Sequence, residues 1–493
     1  MRVLLGYFVA AAFASLALPP ISFVPAVLGL AWPAYHLAMA SSQRQAFWIA
    51  GAMGLGWFFA STHWTAHSLL VGEAEFWYLL PLAAIGVPTL LSIFWAVAGA
   101  MAWRLAETRL GRLLWLVVAL SVSEFGRGFI ATGFPWNAPG YVFSASIASL
   151  QPAAWFGLYG LNIFVFAAAL APAIWAFGRR RLAVGLLLIP TVLTVAGHAR
   201  LTTADQHDQA AIKTIRLVQP NISQEAKWDR SQRATHLRSL IALSTEQKPL
   251  PQLIVWPETA FTGFINSDPL LLRETANQAT PFDGHLITGL LRVAEGDRLY
   301  NSAALLDGDG VVQQIYDKRR LVPFGEFAPF RDWLPFVDAI AGPVDFSAGQ
   351  INQLFDVPHY GSVQMSICYE SIFSGGVIIG DSRPDMVINI TNDGWFGRTL
   401  GPWQHLAQAQ MRAVEEGLPM IRVANTGVTA VFDSFGRTKG LIPHGEKGML
   451  DIQVPSAIEM PLFARHKHLP FFLLLVMAAI FAWRLDGQGS LGQ

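Results

Sequence analysis

Cysteine is almost missing from this chain. Among 493 residues there is one, Cys368, which excludes an intrachain disulfide and a metal site built from several thiolates. What is left for it is the role of a small buried hydrophobe or that of a reactive thiol, free cysteine being among the most often buried types. Charge is scarce as well: 14% of residues are charged against 53% hydrophobic, too apolar for an ordinary soluble protein of this length. The formal net charge is zero, so the basic excess expected of a nucleic-acid partner is absent. The twelve histidines are dispersed, with no H-E-x-x-H pattern, which speaks against a metal centre. No lysine occurs before Lys213, and beyond it charges return at a globular density. These absences divide the chain into a membrane part (1–200), a soluble part (201–465) and a last apolar segment with its tail (466–493).

Apolar runs of the length needed to span a bilayer, about 20 residues, lie near 3–18, 21–40, 46–70, 76–103, 112–131, 152–177 and 181–198, with an eighth near 469–484. The first has the form of a signal peptide, Arg2 preceding an apolar core that ends in small residues. Pro19-Pro20 and the immediate second run instead fit an uncleaved helical hairpin. With the N-terminus inside, the inner loops carry Arg2, Arg44, Arg104, Arg109, Arg112 and Arg179-Arg180-Arg181, with Arg484 after the last run, while the short outer loops carry Arg127. That asymmetry predicts cytoplasmic termini and a soluble part on the outer side. His63, His67, Glu124 and Asn137, with Trp57, Trp64 and Trp136, invite a transport pathway. Most of them fall near predicted outer ends, however, and no repeat of interrupted helices accompanies them.

In the soluble part short strand-like runs alternate with helical patterns. Strands are expected at 214–219, 253–256, 285–289, 302–306, 311–316, 362–367, 386–390 and 428–432, with a hairpin turn at Asp307-Gly308-Asp309-Gly310 and a helix over 402–418. This alternation predicts an α/β domain of two sheets covered by helices. Three segments end an apolar strand on a chemical group: Glu258 after Val-Trp-Pro, Lys318 after Ile-Tyr-Asp, Cys368 after Met-Ser-Ile. Each has a bland reading, as a solvated loop charge, a surface basic cluster or a core residue. Together they suit acyl transfer: a thiol, a carboxylate to take and return its proton, and a cation beside the developing oxyanion.

Trp256-Pro257-Glu258, Asp317-Lys318-Arg319 with Pro323-Phe324-Gly325-Glu326, and Ile367-Cys368-Tyr369-Glu370 resemble the Glu-Lys-Cys signature of the nitrilase (carbon–nitrogen hydrolase) superfamily. Over essentially its whole length the chain resembles the membrane-embedded branch, the apolipoprotein N-acyltransferases. Branch-specific support comes from Gln219-Pro220-Asn221-Ile222 with Lys227-Trp228, from Asn392-Asp393-Gly394-Trp395-Phe396-Gly397, from Gly401-Pro402-Trp403-Gln404-His405, and from Arg422-Val423-Ala424-Asn425-Thr426-Gly427.

The resemblance implies a polytopic helical membrane domain of about eight spans joined to an α-β-β-α sandwich, in the inner membrane of a bacterium with the catalytic domain periplasmic. It implies Cys368 as nucleophile, Glu258 as general base and acid, Lys318 as the oxyanion-side cation and Glu326 as a second carboxylate. Tyr369 and Glu370 would shape the site, and Trp228, Trp395 and Phe396 would line the substrate path. The implied reaction is ping-pong. A phospholipid donates an acyl chain to the thiol, and the α-amine of a diacylglyceryl-modified apolipoprotein takes it, with no metal or cofactor. The aromatic segment 327–337, including Trp333, Leu334 and Phe336, is expected to dip into the headgroup region as a lid. Competing readings are a membrane-tethered amidase hydrolysing a small amide, a Cys-His enzyme pairing Cys368 with His405 or His359, and a transporter with a binding domain.

Overall fold

A computed structural model of the chain describes residues 2–71, 77–202, 212–329, 331, 344–350, 353–380 and 382–490. Trp333, Leu334 and Phe336 of the expected lid lie outside the described residues.

Helices occupy every apolar run, but not as eight uniform spans. α1 (Arg2–Ala14) is followed, past Pro19-Pro20, by a 3-10 stretch (Val24–Leu30) and the short α2 (Ala31–Ala38). α3 (Gln43–Thr62) stops where the run was expected to continue, and a 3-10 segment (His63–Leu70) completes it. α4 (Leu80–Leu105), α5 (Arg109–Arg127), α6 (Ala153–Ala176) and α7 (Arg180–Thr202) follow, and α11 (Leu469–Ser490) closes the chain. By length and composition four stretches can cross a membrane: Trp77–Leu105, Ala153–Ala176, Arg180–Thr202 and Leu469–Gln488. α5 falls short because it carries Arg109, Arg112, Glu124 and Arg127. Glu124 and Arg127 are buried against each other, and the indole of Trp95 donates to Glu124 at 2.7 Å. α7 and α11 leave Leu188, Val192, Val195, Leu473, Val476 and Met477 exposed. An apolar face of that extent needs lipid rather than water.

Thirteen strands among the described residues form two sheets. The first takes β1 (Ile212–Gln219), β2 (Leu253–Val255), β3 (Phe261–Phe264), β4 (His285–Ala294), β5 (Arg298–Asp307), β6 (Val312–Asp317) and, from the far end of the chain, β13 (Gly448–Val454). Its order is β13-β1-β2-β4-β5-β6, with β3 beside β4. The second takes β7 (Phe355–Val357), β8 (Gly361–Ile367), β9 (Met386–Thr391), β10 (Met420–Ala424), β11 (Thr429–Phe432) and β12 (Thr438–Ile442), ordered β12-β11-β10-β9-β8-β7. β1, β2 and β4 run parallel, as do β8, β9 and β10.

The period-two alternation of each strand sorts its side chains between layers. Leu217, Val255, Ile287 and Leu305 of the first sheet meet Met365, Ile367, Ile388 and Val423 of the second in one core. On the outer face of the first, Ile254, Leu286 and Leu306 pack under α8 (Arg233–Thr245) and α9 (Pro269–Ala279). On the outer face of the second, Val387, Met420 and Ala430 lie under Ala409 and Ala413 of α10 (Gly401–Glu416). Strands covered on both sides are largely apolar, which is why most of their runs were legible; β10, interrupted by the buried Arg422, was not expected. The result is the expected α-β-β-α sandwich. α10 has Pro402 in its first turn and ends at Gly417 in the left-handed conformation (φ 63°), a standard start and stop. Its Met411 and Val414 belong to the core of the membrane part, so one helix is shared by both halves.

Candidate active site

The three strand-end groups converge. β2 runs out at Val255 and leads through Trp256-Pro257 to Glu258, β6 ends one residue before Lys318, and β8 ends one residue before Cys368. The Lys318 ammonium lies 3.5 Å from Glu258 Oε1 and 2.8 Å from Glu326 Oε1, all three side chains being largely buried. Asn301, on β5, joins the two carboxylates: its Nδ2 donates to Glu258 Oε1 at 2.7 Å and to Glu326 Oε1 at 2.9 Å. Burial opposes the charge on Lys318, yet Glu326 and Glu258 outweigh it and hold the ammonium above the usual lysine range. The turn that carries Glu258 can approach β4 because position 289 is glycine. A Cβ there would lie 2.4 Å from Thr259 N and 2.7 Å from Glu258 Cα.

Cys368 opens a 3-10 turn (Cys368–Ile372) in the left-handed region, φ +49°, a conformation that costs a non-glycine residue about 1–3 kcal/mol and recurs at functional sites. Burial, and then the charge of Glu258, push its thiol up to about 12, while Lys318 pulls the other way. The thiol at rest is therefore protonated. Glu370 locks the turn to the lysine segment: its carboxylate accepts from Ile367 N at 2.7 Å, Arg319 N at 2.8 Å and the Tyr316 hydroxyl at 2.9 Å. Burial raises the pKa of Glu370. The hydroxyl of Tyr369 donates at 2.7 Å to the carbonyl of Gly133, in the loop after α5, so the membrane part reaches the residue next to the thiol.

His405 addresses Cys368 differently from a Cys-His pair. Its Nε2 lies 3.1 Å from the carbonyl oxygen of Cys368, and its Nδ1 lies 2.9 Å from Asp393 Oδ1. Arg422 donates to Asp393 Oδ2 at 2.6 Å and to Asn389 Oδ1 at 2.8 Å. Burial and Arg422 lower the pKa of His405; burial works against the Asp393 carboxylate, but Arg422 and His405 hold it below the usual range. This network props the backbone under the thiol. His359 is exposed on the β7–β8 turn.

Of the residues expected from sequence, Glu258, Lys318 and Glu326 touch, and Glu370 ties them to Cys368. Phe396 packs edge-on against Trp64 at 4.8 Å and Trp136 at 5.6 Å. Trp228 and Trp395 are half-exposed, and the segments bearing them are joined by Asn392 Nδ2 donating to Gln224 Oε1 at 2.6 Å. Sequence reasoning missed Asn301, whose position is defined by pairing of β5 with β6, and the buried Lys227, whose only cue was its place before Trp228. Among the described residues, no group of three His, Cys, Asp or Glu side chains is arranged to hold a metal ion.

Two family models match the chain: carbon-nitrogen hydrolase over residues 214–459 and apolipoprotein N-acyltransferase N-terminal domain over residues 6–171. The apolipoprotein N-acyltransferase of Rhodopseudomonas palustris is 34% identical over 498 residues, covering 95% of this chain and 92% of that protein. That of Bradyrhizobium diazoefficiens is 36% identical over 457 residues, covering 87% and 84%, and that of Allorhizobium ampelinum 38% over 457 residues, covering 86% and 85%. Among solved structures, an amidase from Nesterenkonia sp. aligns with 50% of this chain and 92% of its own at 16% identity, with a TM-score of 0.35.

Proposed function

The chain belongs to the apolipoprotein N-acyltransferase family, and from that premise we propose that it moves a fatty acyl chain from a membrane phospholipid, through a thioester on Cys368, to the α-amine of a diacylglyceryl-modified N-terminal cysteine. In the first half-reaction Glu258 takes the proton from Cys368, and the sulfur attacks the ester carbonyl of the phospholipid. Lys318 faces the oxyanion as it forms. Collapse breaks the ester C–O bond, Glu258 returns the proton to the departing lysophospholipid oxygen, and the acyl thioester remains. In the second, the acceptor amine attacks that thioester and loses its proton to Glu258, which hands it to the leaving sulfur. Donor, acceptor and these side chains balance both halves.

A thiol held near pKa 12 does not ionise unaided at neutral pH, which fits a base acting in concert with attack. Glu326 and Asn301 hold Lys318 and Glu258 in line, Tyr369 and Glu370 hold the cysteine turn, and Trp228, Trp395 and Phe396 are assigned to the substrate path. The single observation that carries a lipid substrate is the bond from Tyr369 to Gly133, because it sets the nucleophile against the membrane part. A small soluble amide would need no such junction.

Residues 1–200 and 466–493 are assigned to an eight-span membrane domain and 201–465 to a periplasmic catalytic domain, with both termini cytoplasmic in a bacterial inner membrane. The arginine pattern supports this orientation. Both substrates would then reach the site by diffusion in the leaflet. The decisive experiment is intact-mass analysis of purified protein incubated with phospholipid. An acyl-sized adduct on Cys368, released by hydroxylamine and lost in Cys368→Ala, is expected. Its absence under turnover conditions, or hydrolysis of a small amide without lipid, would overturn the reading in favour of the amidase.

A further inference from the structure

The chemistry above leaves one buried cation unused. Lys227 closes the short helical turn Gln224–Lys227 and is 2% exposed. Its ammonium donates at 2.9 Å to the backbone carbonyl of Glu258, its one hydrogen-bond partner among the described residues. Burial lowers its pKa, and the charges of Glu258 and then Cys368 oppose that lowering. Enclosing an ammonium with two N–H groups unspent is costly. An apolar side chain of the same length would fill the space without that cost, so packing does not account for the charge.

The charge count of the site does. Glu258 and Glu326 set two negative charges against the single positive charge of Lys318. Moving the Cys368 proton to Glu258 leaves that net negative charge in place and shifts it onto the sulfur, in a buried setting where uncompensated charge is costly. A second cation at this edge restores the balance, and its bond to the Glu258 carbonyl fixes the turn whose next residue, Thr259, is in the left-handed region (φ +46°).

We propose that Lys227 is a positioning residue and the second cation of the site, holding Glu258 by its main chain and stabilising negative charge on Cys368, so that Lys318 is left to the acyl oxygen. The proposal rests on Cys368 being the nucleophile. Besides Glu258 and Cys368, the ionisable groups that bear on this corner are His236 and Asp229 on the Lys227 side, and Lys318 and Asp393 around the thiol.

The test uses the full-length protein in detergent and two variants, K227Q and K227R. Two rates are followed against pH: alkylation of Cys368 by iodoacetamide, and acyl-adduct formation from phospholipid. Below pH 8, where Lys227 is charged, the alkylation profile of K227Q should lie about one pH unit higher and adduct formation should fall about tenfold to a hundredfold. K227R should keep both near wild type over that range. An unmoved profile with an undiminished adduct rate in K227Q would overturn the proposal. No labelling and no adduct in the wild type would instead count against the Cys368 reading itself.

If K227Q does not fold, K227R decides. Burial lowers Lys227 to about 8, so its charge is present below that value and lost as pH rises through it. Wild-type adduct formation should then decline above pH 8 while K227R, always charged, keeps its rate. The same decline in both proteins would sink the idea.

Discussion

Cys368 reconciles burial with reactivity through its neighbours. Burial and Glu258 raise its pKa to about 12, so at any lower pH the thiolate is a minor form that grows about tenfold per pH unit. The same carboxylate that withholds the charge is the group placed to remove the proton, and this makes a sharp expectation for Glu258→Gln. Without the negative charge the thiol pKa falls, so alkylation by iodoacetamide at pH 8 should be faster than in the wild type. Acyl transfer, having lost its base, should fall about 10²- to 10⁴-fold. Mass spectrometry of the Cys368 peptide measures both. An unchanged alkylation rate would mean that Glu258 does not bear on the thiol. Glu258, Lys318 and Cys368 were legible as residue types after strands, and Glu326 only through the resemblance. Asn301 was not, because an asparagine inside a strand signals nothing until its neighbour across the ladder is known.

At the scale of elements, the site is a property of strand ends. β2, β6 and β8 stop at the positions that bring Glu258, Lys318 and Cys368 together, and β4 must come close enough to support the Glu258 turn. Gly289→Ala tests that closeness. The added Cβ meets backbone atoms at 2.4 Å and 2.7 Å, which cannot swing aside as a side chain can, so a destabilisation of about 1–3 kcal/mol is expected. Thermal unfolding in detergent should register that loss, and the acyl adduct should vanish even where the variant stays folded. Most strands buried on both faces announced themselves as apolar runs. β10 did not, because Arg422 interrupts its run, nor did β3, β7, β12 and β13, being short or, like Gly448–Val454, half-exposed with Asp451 and Gln453 among their residues.

The whole molecule turns on α10. Its Ala409 and Ala413 face the second sheet, and its Met411 and Val414 enter the membrane core. At its start Gln404 Oε1 accepts three hydrogen bonds, from Trp64 Nε1 at 3.0 Å, Trp136 Nε1 at 2.9 Å and Asn137 Nδ2 at 3.1 Å. Gln404→Leu would strand Trp136 Nε1 in a buried place, at about 1–3 kcal/mol, while Trp64 Nε1 and Asn137 Nδ2 keep the Ser61 carbonyl. Lower thermal stability in detergent is expected. Adduct formation should also weaken, since the loop holding Trp136 and Asn137 carries the Gly133 carbonyl that Tyr369 binds. Unchanged melting would show that the Gln404 bonds do not help to hold the two halves together. Of the eight expected spans, four are long and apolar enough among the described residues. α1 and α2 are short, α3 ends early, and the buried ion pair of Glu124 with Arg127 sits in a helix whose charges its partners absorb.

Composition and motif order by themselves determined the α/β character of the second half, suggested a division near residue 200 and singled out Glu258, Lys318 and Cys368 as candidates. Each of those signals is local: an apolar run, a period of two, or a short string ending a strand. Only the tertiary structure decided that Asn301 bridges Glu258 and Glu326, that Lys227 binds the Glu258 carbonyl, that His405 meets the cysteine's carbonyl, and that Gly133 touches Tyr369. Those contacts join residues far apart in the chain. They come from sheet register and from the seating of α10 between two cores, and no stretch of sequence encodes such distances on its own.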